Sequence, residues 1–280
     1  MNKPNLSWIP VRLMEDILVK KTMTAEQWLR SAPEFGLGAV EIYYAFLEST
    51  DPDYLQRACS LLKKLDLEVS MLTCSPDFAH PSEDVREQQL AQMKTYVDAA
   101  GVLDAPNVRV TTGMRHPEIS EEEGIEWVVH SIELLGEYAS AHGVTLALED
   151  HYKDRFAWEH PDFAQKKETF LAIFDRLRNT PVMVNFDCSN PIMVGDNPLD
   201  ILQAVKGRVV SVHASDRFAG VYQHSVIGEG MVDFDPIFKT LRDAGFTGWI
   251  SAEDGNPEGD DGFRRSLAFL RRKIEEYWAD

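Results

Sequence analysis

Apolar residues along the chain fall into a recurring unit: a short β-rich run, a polar loop, then a longer stretch with helical spacing of apolar positions. The runs lie around Trp8 to Val11, and at Val40 to Tyr44, Glu68 to Thr73, Asn107 to Gly113, Thr145 to Asp150, Val182 to Asp187, Val209 to Asp216 and Trp249 to Gly255. Between them TAEQWLRSAPEFG, PDYLQRACSLLKKLD, SEDVREQQLAQMKTYVDAAG and ISEEEGIEWVVHSIELLGEYASAHG read as helices, the last two with acidic residues near the start and glycine at the stop. Eight strands alternating with helices predict a (β/α)8 TIM barrel, an α/β fold of typically about 250 residues. An open doubly wound sheet would declare itself with a glycine-rich phosphate turn after the first strand, and neither GxGxxG nor GxxxxGK(S/T) is present. No linker or low-complexity tract interrupts the pattern, so residues 1–280 are expected to form a single domain.

Composition narrows the partners. A formal charge of −18 opposes long-range attraction to nucleic acid or an anionic membrane, because phosphate contacts need Lys or Arg to replace counterions. The N-terminal segment has no apolar core followed by a small-residue cleavage site, and no later run reaches membrane-spanning length, so a cytoplasmic location is expected. Cys59, Cys74 and Cys188 are odd in number and far apart, which predicts reduced structural thiols.

The candidate chemistry sits at strand ends. In a parallel barrel the C-termini of the strands converge on one face, so polar residues that close apolar strands meet there although remote in sequence. TLALE ends on Glu149, VMVNFD on Asp187, VVSVH on His213 and WISAE on Glu253. One strand-end acid is ordinarily a helix cap or a salt-bridge partner; four successive strands ending alike is a different signal. The three carboxylates would repel one another in a low-dielectric pocket unless a cation joined them and the imidazole. The oxygen-rich set without thiolate favours Mn2+ or Mg2+, with Co2+ or Zn2+ as alternatives.

With these segments in hand the chain resembles the xylose-isomerase-like sugar isomerases and epimerases, which include tagatose-type ketose 3-epimerases and proteins called sugar phosphate isomerase/epimerase. The resemblance covers nearly the whole chain. It rests most specifically on LALEDH at Leu146 to His151, VNFDCSN at Val184 to Asn190, VVSVHASD at Val209 to Asp216, and the stretch from Ile227 to Gly255. It implies that Glu149, Asp187, His213 and Glu253 bind one divalent metal and that the two glutamates are placed for proton transfer. The ion would polarise a substrate ketone, one glutamate would take the adjacent proton, and its return to the opposite face or to the next carbon would give epimerisation or isomerisation. The resemblance also implies a homo-oligomer.

Further residues surround this set. His151 and Lys153 follow Glu149, where a second base, a grip on a hydroxyl or plain loop polarity are open readings. Asp216 can orient His213, bind a sugar hydroxyl or form a turn; Arg217 beside it can hold a hydroxyl or phosphate. Asn190 stands where the ketohexose epimerases carry a substrate-contacting histidine, and Arg155 where they carry a glutamate; both departures weigh against a free ketohexose. His224 precedes a glycine-bearing loop near the pocket. Arg109, Arg115 and His116 are candidates to meet a substrate anion, Asp77, Phe78 and His80 to line a loop, and Trp8 to wall a sugar ring, with Trp127 and Phe238 as helix core.

The expected activity is therefore metal-dependent isomerisation or epimerisation of a small carbohydrate. A second expectation shares its first step: with a 3-keto glycoside, the enolate expels the anomeric group, making a lyase or hydrolase. Behind these stand an apurinic-site endonuclease, opposed by the acidic charge, and a non-catalytic sugar-binding barrel, opposed by retention of both Glu149 and Glu253.

Overall fold

The computed structural model describes residues 3–153 and 159–279; Arg155 lies outside them. Eight strands run in one sheet: β1 (Asn5–Ile9), β2 (Ala39–Tyr43), β3 (Glu68–Thr73), β4 (Asn107–Val110), β5 (Thr145–Glu149), β6 (Met183–Asp187), β7 (Val209–Ala214) and β8 (Trp249–Glu253). Every ladder is parallel, in the order β1-β8-β7-β6-β5-β4-β3-β2, and β1 packs beside β2 to bring the sheet nearly to closure. Among the described residues eight helices alternate with the strands: α1 (Ala25–Ser31), α2 (Pro52–Lys64), α3 (Glu83–Val102), α4 (Glu121–Ala141), α5 (Lys167–Arg176), α6 (Pro198–Val205), α7 (Phe234–Asp243) and α8 (Gly259–Trp278). The fold is the TIM barrel that the pattern predicts.

Local chemistry explains the boundaries. The first strand lies earlier than Trp8 to Val11, because Pro10 has no N–H to donate and Val11–Leu13 turns into a 3-10 helix. The fourth stops at Val110 rather than Gly113, whose φ of +109° turns the chain beside Asp77. The acidic run does open α4: Ser120 accepts from the Glu123 amide while Glu123 reaches back to Ser120, a reciprocal cap. Gly101, expected to stop α3, lies inside its last turn, and the helix ends one residue later.

Period two along the strands sorts the side chains into two populations. Val40, Ile42, Val108, Val110, Leu146, Leu148, Val184, Phe186, Val212, Ile250 and Ala252 join the buried apolar core. The alternate positions Ser7, Glu41, Thr73, Arg109, Glu149, Asn185, Asp187, Ser211, His213 and Ser251 are buried and polar. Trp8 belongs to the first population. It is fully buried and stacks on Phe263 at 4.5 Å between Trp28 and Phe35, so it walls the β1–α8 core and not a sugar. Phe238 is fully buried as expected, whereas Trp127 is half-exposed under the Arg86 guanidinium, 4.0 Å away. All three cysteines are free thiols. No helix among the described residues is long and apolar enough to cross a membrane.

Candidate metal centre at the strand ends

Glu149, Asp187 and Glu253 are the last residues of β5, β6 and β8, and His213 is the penultimate residue of β7. Register aligns them: Asp187 pairs with His213, and His213 with Ser251. From His213 Nδ1 the distances are 3.4 Å to Glu149 Oε1, 3.8 Å to Glu253 Oε2 and 4.0 Å to Asp187 Oδ2. Glu149, Asp187 and His213 offer ligand atoms all within 4.8 Å of one another. The other ring nitrogen, Nε2, faces both oxygens of the buried Glu41 at 2.9 and 3.1 Å, and Thr73 Oγ1 donates to the same carboxylate. That assigns the proton to Nε2 and leaves the Nδ1 lone pair facing the three acids.

The donor set fits a cation. Among the described residues His213 Nδ1 and Glu253 Oε2 are buried without a hydrogen-bond partner, an arrangement that is costly unless something fills the space between them. Atoms that share one divalent ion lie about 3 to 4 Å apart, as these do. Electrostatics agrees. Burial and the Asp187 carboxylate push the Glu253 carboxyl well above its usual range. Burial also lifts Glu149, but Arg109 and His213 more than offset it and hold Glu149 well below. Burial lowers His213, and the Glu41 and Glu149 carboxylates outweigh it, raising the imidazole well above its usual value. Positive charge is thus favoured at the centre of the cluster, whether as a proton on Nδ1 or as a metal.

The surrounding residues fix each carboxylate. Glu149 Oε2 pairs with Arg109 Nε and accepts from Asn185 Nδ2 at 3.1 Å, while Oε1 accepts from Asn190 Nδ2 at 3.3 Å. Asp187 Oδ1 accepts from the Ser189 and Asn190 amides at 2.8 and 2.7 Å and from Ser215 Oγ at 2.9 Å. Glu253, by contrast, keeps a 17% exposed side chain.

Of the other residues singled out in the sequence, Asn190 and Arg217 adjoin the cluster, Arg217 Nη2 donating to Asn190 Oδ1 at 2.9 Å. His151 Nδ1 lies 2.8 Å from Asp162 Oδ2, on a segment tied to the loop after β4, where Thr112 Oγ1 donates to Asp162 Oδ1 and accepts from the Ala164 amide. Lys153 is half-buried on the same loop and close enough to His224 to lower its pKa. His224 is buried against Gly255. Asp216 does not orient His213; its oxygens accept the backbone amides of Arg217, Gly228, Gly230 and Val232, and Glu41 holds the imidazole instead. Arg109 meets Glu149, Arg115 donates to the Phe163 carbonyl, and His116 pairs with Asp77 at 2.8 Å, so each has an internal partner in place of a substrate anion. Phe78 is core, and Asp77 also holds the Met114 amide.

Glu41, Asn185 and Asp162 were not anticipated from the sequence. Glu41 and Asn185 carry a visible signal, a polar residue at an inward position of an otherwise apolar strand, as in VEIY and VMVNFD. Asp162 carries none.

The profile of a family described as "Xylose isomerase-like TIM barrel" matches residues 29–273. The chain belongs to this family. Among curated relatives, L-ribulose-5-phosphate 3-epimerase UlaE of Escherichia coli is 43% identical over 54 residues, 19% of each chain. The chain thus spans about a fifth of the length of the curated relatives it matches. Among solved structures, the IOLI protein with a zinc atom is 17% identical with a TM-score of 0.77, covering 99% of this chain and 100% of that one. The 3-keto-D-glucoside 4-epimerase YcjR of E. coli is 18% identical with a TM-score of 0.73, over 97% and 100%. Both likenesses are of the xylose isomerase-like barrel as a whole.

Proposed function

We propose that this chain is a divalent-metal-dependent isomerase or epimerase of a keto-sugar or sugar phosphate, moving a proton at the carbon beside the ketone. One observation carries the reading: His213 Nδ1 and Glu253 Oε2 face each other at 3.8 Å, buried and without hydrogen-bond partners, with Glu149 and Asp187 alongside. Glu149, Asp187, His213 and Glu253 would hold the ion, and their oxygen-rich set suits Mn2+ or Mg2+, with Co2+ or Zn2+ as alternatives. When bound, the ion supplies a Lewis acid for the substrate carbonyl.

The chain's own residues divide the remaining work. Glu149 is pinned by Arg109, Asn185 and Asn190 and anchors the cluster as a carboxylate. Glu253, whose Oε2 would face the ion and whose side chain is the more exposed, takes the proton on its carboxylate. For isomerisation Glu253 gives its proton back to the next carbon; for epimerisation a second proton, held on the β5 side by His151 or by Glu149 once protonated, adds to the opposite face while Glu253 loses its own to solvent. Asn190, Arg217, Lys153 and His224 line the sugar's approach, with Asp216 shaping the loop that carries Arg217. The substrate is a small carbohydrate met in the cytoplasm, with neither nucleic acid nor membrane as partner.

A second reading has the same first step. The likeness to a 3-keto-D-glucoside 4-epimerase, together with Asn190 against Glu149, supports a 3-keto glycoside whose enolate expels the anomeric group. Incubation with a panel of keto-sugars and 3-keto glycosides in D2O, read by NMR and mass spectrometry, separates the two. Deuterium gain without fragmentation supports the isomerase or epimerase, and loss of an aglycone the lyase. Turnover by protein shown to be metal-free would overturn both.

A further inference from the structure

Arg217, three residues past β7, is only 2% exposed, yet it makes no ion pair among the described residues. Its Nε donates to Ser189 Oγ at 3.0 Å and its Nη2 to Asn190 Oδ1 at 2.9 Å, both neutral acceptors, and its Nη1 is buried with no partner at all. Buried charges are ordinarily paired, and the adjacent carboxylate, Asp216, has committed both oxygens to four backbone amides. His224, brought against Arg217 by an antiparallel bridge, has a buried Nδ1 that is likewise unpartnered. Arg217 and Lys153 both act electrostatically on that imidazole. In a protein of net charge −18, one corner of the barrel mouth therefore gathers a guanidinium and an imidazole with hydrogen-bonding capacity unspent, with the Lys153 ammonium near the imidazole.

We propose that Arg217, with Lys153 and His224 beside it, is the subsite for an anionic group of the substrate, a carboxylate or a phosphate, and that the sugar handled here is an acidic one. The inference rests on the proposed function in one respect, that the reacting end of the sugar lies at Glu253 and Glu149. Asn190 sets the spacing between the two ends, its Nδ2 on Glu149 Oε1 and its Oδ1 on Arg217. Tyr222 covers the guanidinium, its ring 4.9 Å from Arg217 Cζ and 5.5 Å from the Tyr152 ring, and is itself 40% exposed, so the guanidinium lies directly beneath the protein surface. A planar guanidinium fork matches the oxygens of either anion.

The test uses matched pairs: D-ribulose with D-ribulose 5-phosphate, and D-fructose with D-fructuronate, each scored for solvent deuterium exchange by the metal-loaded enzyme. The anionic member of one pair is expected to exceed its neutral partner in kcat/KM by about 100-fold, and that preference to fall by about tenfold or more in Arg217→Gln. Which pair shows the preference separates phosphate from carboxylate. Equal exchange of neutral and anionic sugars overturns the inference and leaves the proposed function standing. Exchange in no pair defeats the proposed function and passes the decision to binding: inorganic phosphate and acetate should raise the thermal unfolding midpoint of the wild-type protein and not of Arg217→Gln. No such rise overturns the inference as well. Should Arg217→Gln fail to fold, Arg217→Lys keeps the charge without the fork and is expected to retain only part of the preference or of the rise; an undiminished response overturns the inference.

Discussion

Glu41 holds His213 across the barrel: an acid on β2 accepts from the imidazole Nε2–H at 2.9 Å, the two residues standing 172 positions apart in the chain. The pair turns Nδ1 toward Glu149, Asp187 and Glu253 and raises the basicity of the ring, as partners of ligating histidines do. Glu41→Gln keeps the shape and removes the charge. It is expected to weaken metal affinity or turnover by about 10- to 100-fold while the fold survives, because partners of this kind contribute on that scale. Manganese titration followed by electron paramagnetic resonance, with circular dichroism as the folding control, measures it; unchanged affinity and turnover would mean that the ring is fixed by packing alone.

Removing the metal should cost stability as well as activity. Without a cation, Glu149, Asp187 and Glu253 lie around one imidazole in a buried site. A ligand at 100 times its Kd stabilises the folded state by about 2.7 kcal/mol, so stripping with a chelator is expected to lower the unfolding midpoint by several degrees and re-addition of Mn2+ or Mg2+ to restore it. A midpoint indifferent to both treatments would count against the site.

Glu253→Gln separates the two glutamates. Glu149 is tied by Arg109, Asn185 and Asn190, whereas Glu253 Oε2 has no partner and its side chain is the more exposed. If Glu253 takes the proton, deuterium exchange into substrate is expected to fall by at least about 100-fold in this variant, the scale of a general base. Exchange retained within a few-fold would assign proton removal elsewhere, with His151 the next candidate.

These residues also show what could be read in advance. The barrel was legible because each strand announces itself by an apolar run and each helix by its period and caps, and the ligand candidates because strand ends must meet on one face. Glu41 was harder, since an acid inside VEIY declares that it points inward but not that its partner lies five strands further along the chain. Of the readings open for Asp216, orientation of His213 fails and the turn-forming one holds for a related reason: three residues from His213 in sequence, it is turned away by β7 ending at Ala214 and is taken up by four loop amides. Trp8 misled because position along a strand does not say which face the side chain takes, and a one-residue change reverses it.

Gly230 tests the loop that Asp216 holds. A Cβ there would overlap Asp216 Oδ1 and Ser225 Oγ, and Asp216 cannot withdraw without releasing the Gly230 and Val232 amides. Gly230→Ala is therefore expected to cost about 1–3 kcal/mol in chemical unfolding and to impair turnover through Arg217, which the loop carries. Gly220→Ala, at a φ of +72° with open space around it, is expected to cost about 1 kcal/mol and to leave the Asp216 contacts intact. Equal losses in the two variants would show that backbone strain, not the Asp216 cradle, governs this loop.

His224 gives a pH dependence with a defined sign. Burial, then Arg217 and Lys153, hold its imidazole well below the ordinary 6.5, so it stays neutral in the folded chain while an unfolded histidine takes up a proton below about 6.5. Where the unfolded state binds more protons, stability rises with pH; the contribution is complete above 6.5 and is lost as pH falls through the window below it, by up to about 1.4 kcal/mol per pH unit. His224→Gln removes that proton uptake. The stability of wild type relative to the variant should therefore be level from pH 7 to 9 and decline from pH 6.5 to 5, measured by denaturant unfolding in buffers without phosphate or carboxylate. A relative stability that instead grew on acidification would mean that the folded chain protonates this imidazole.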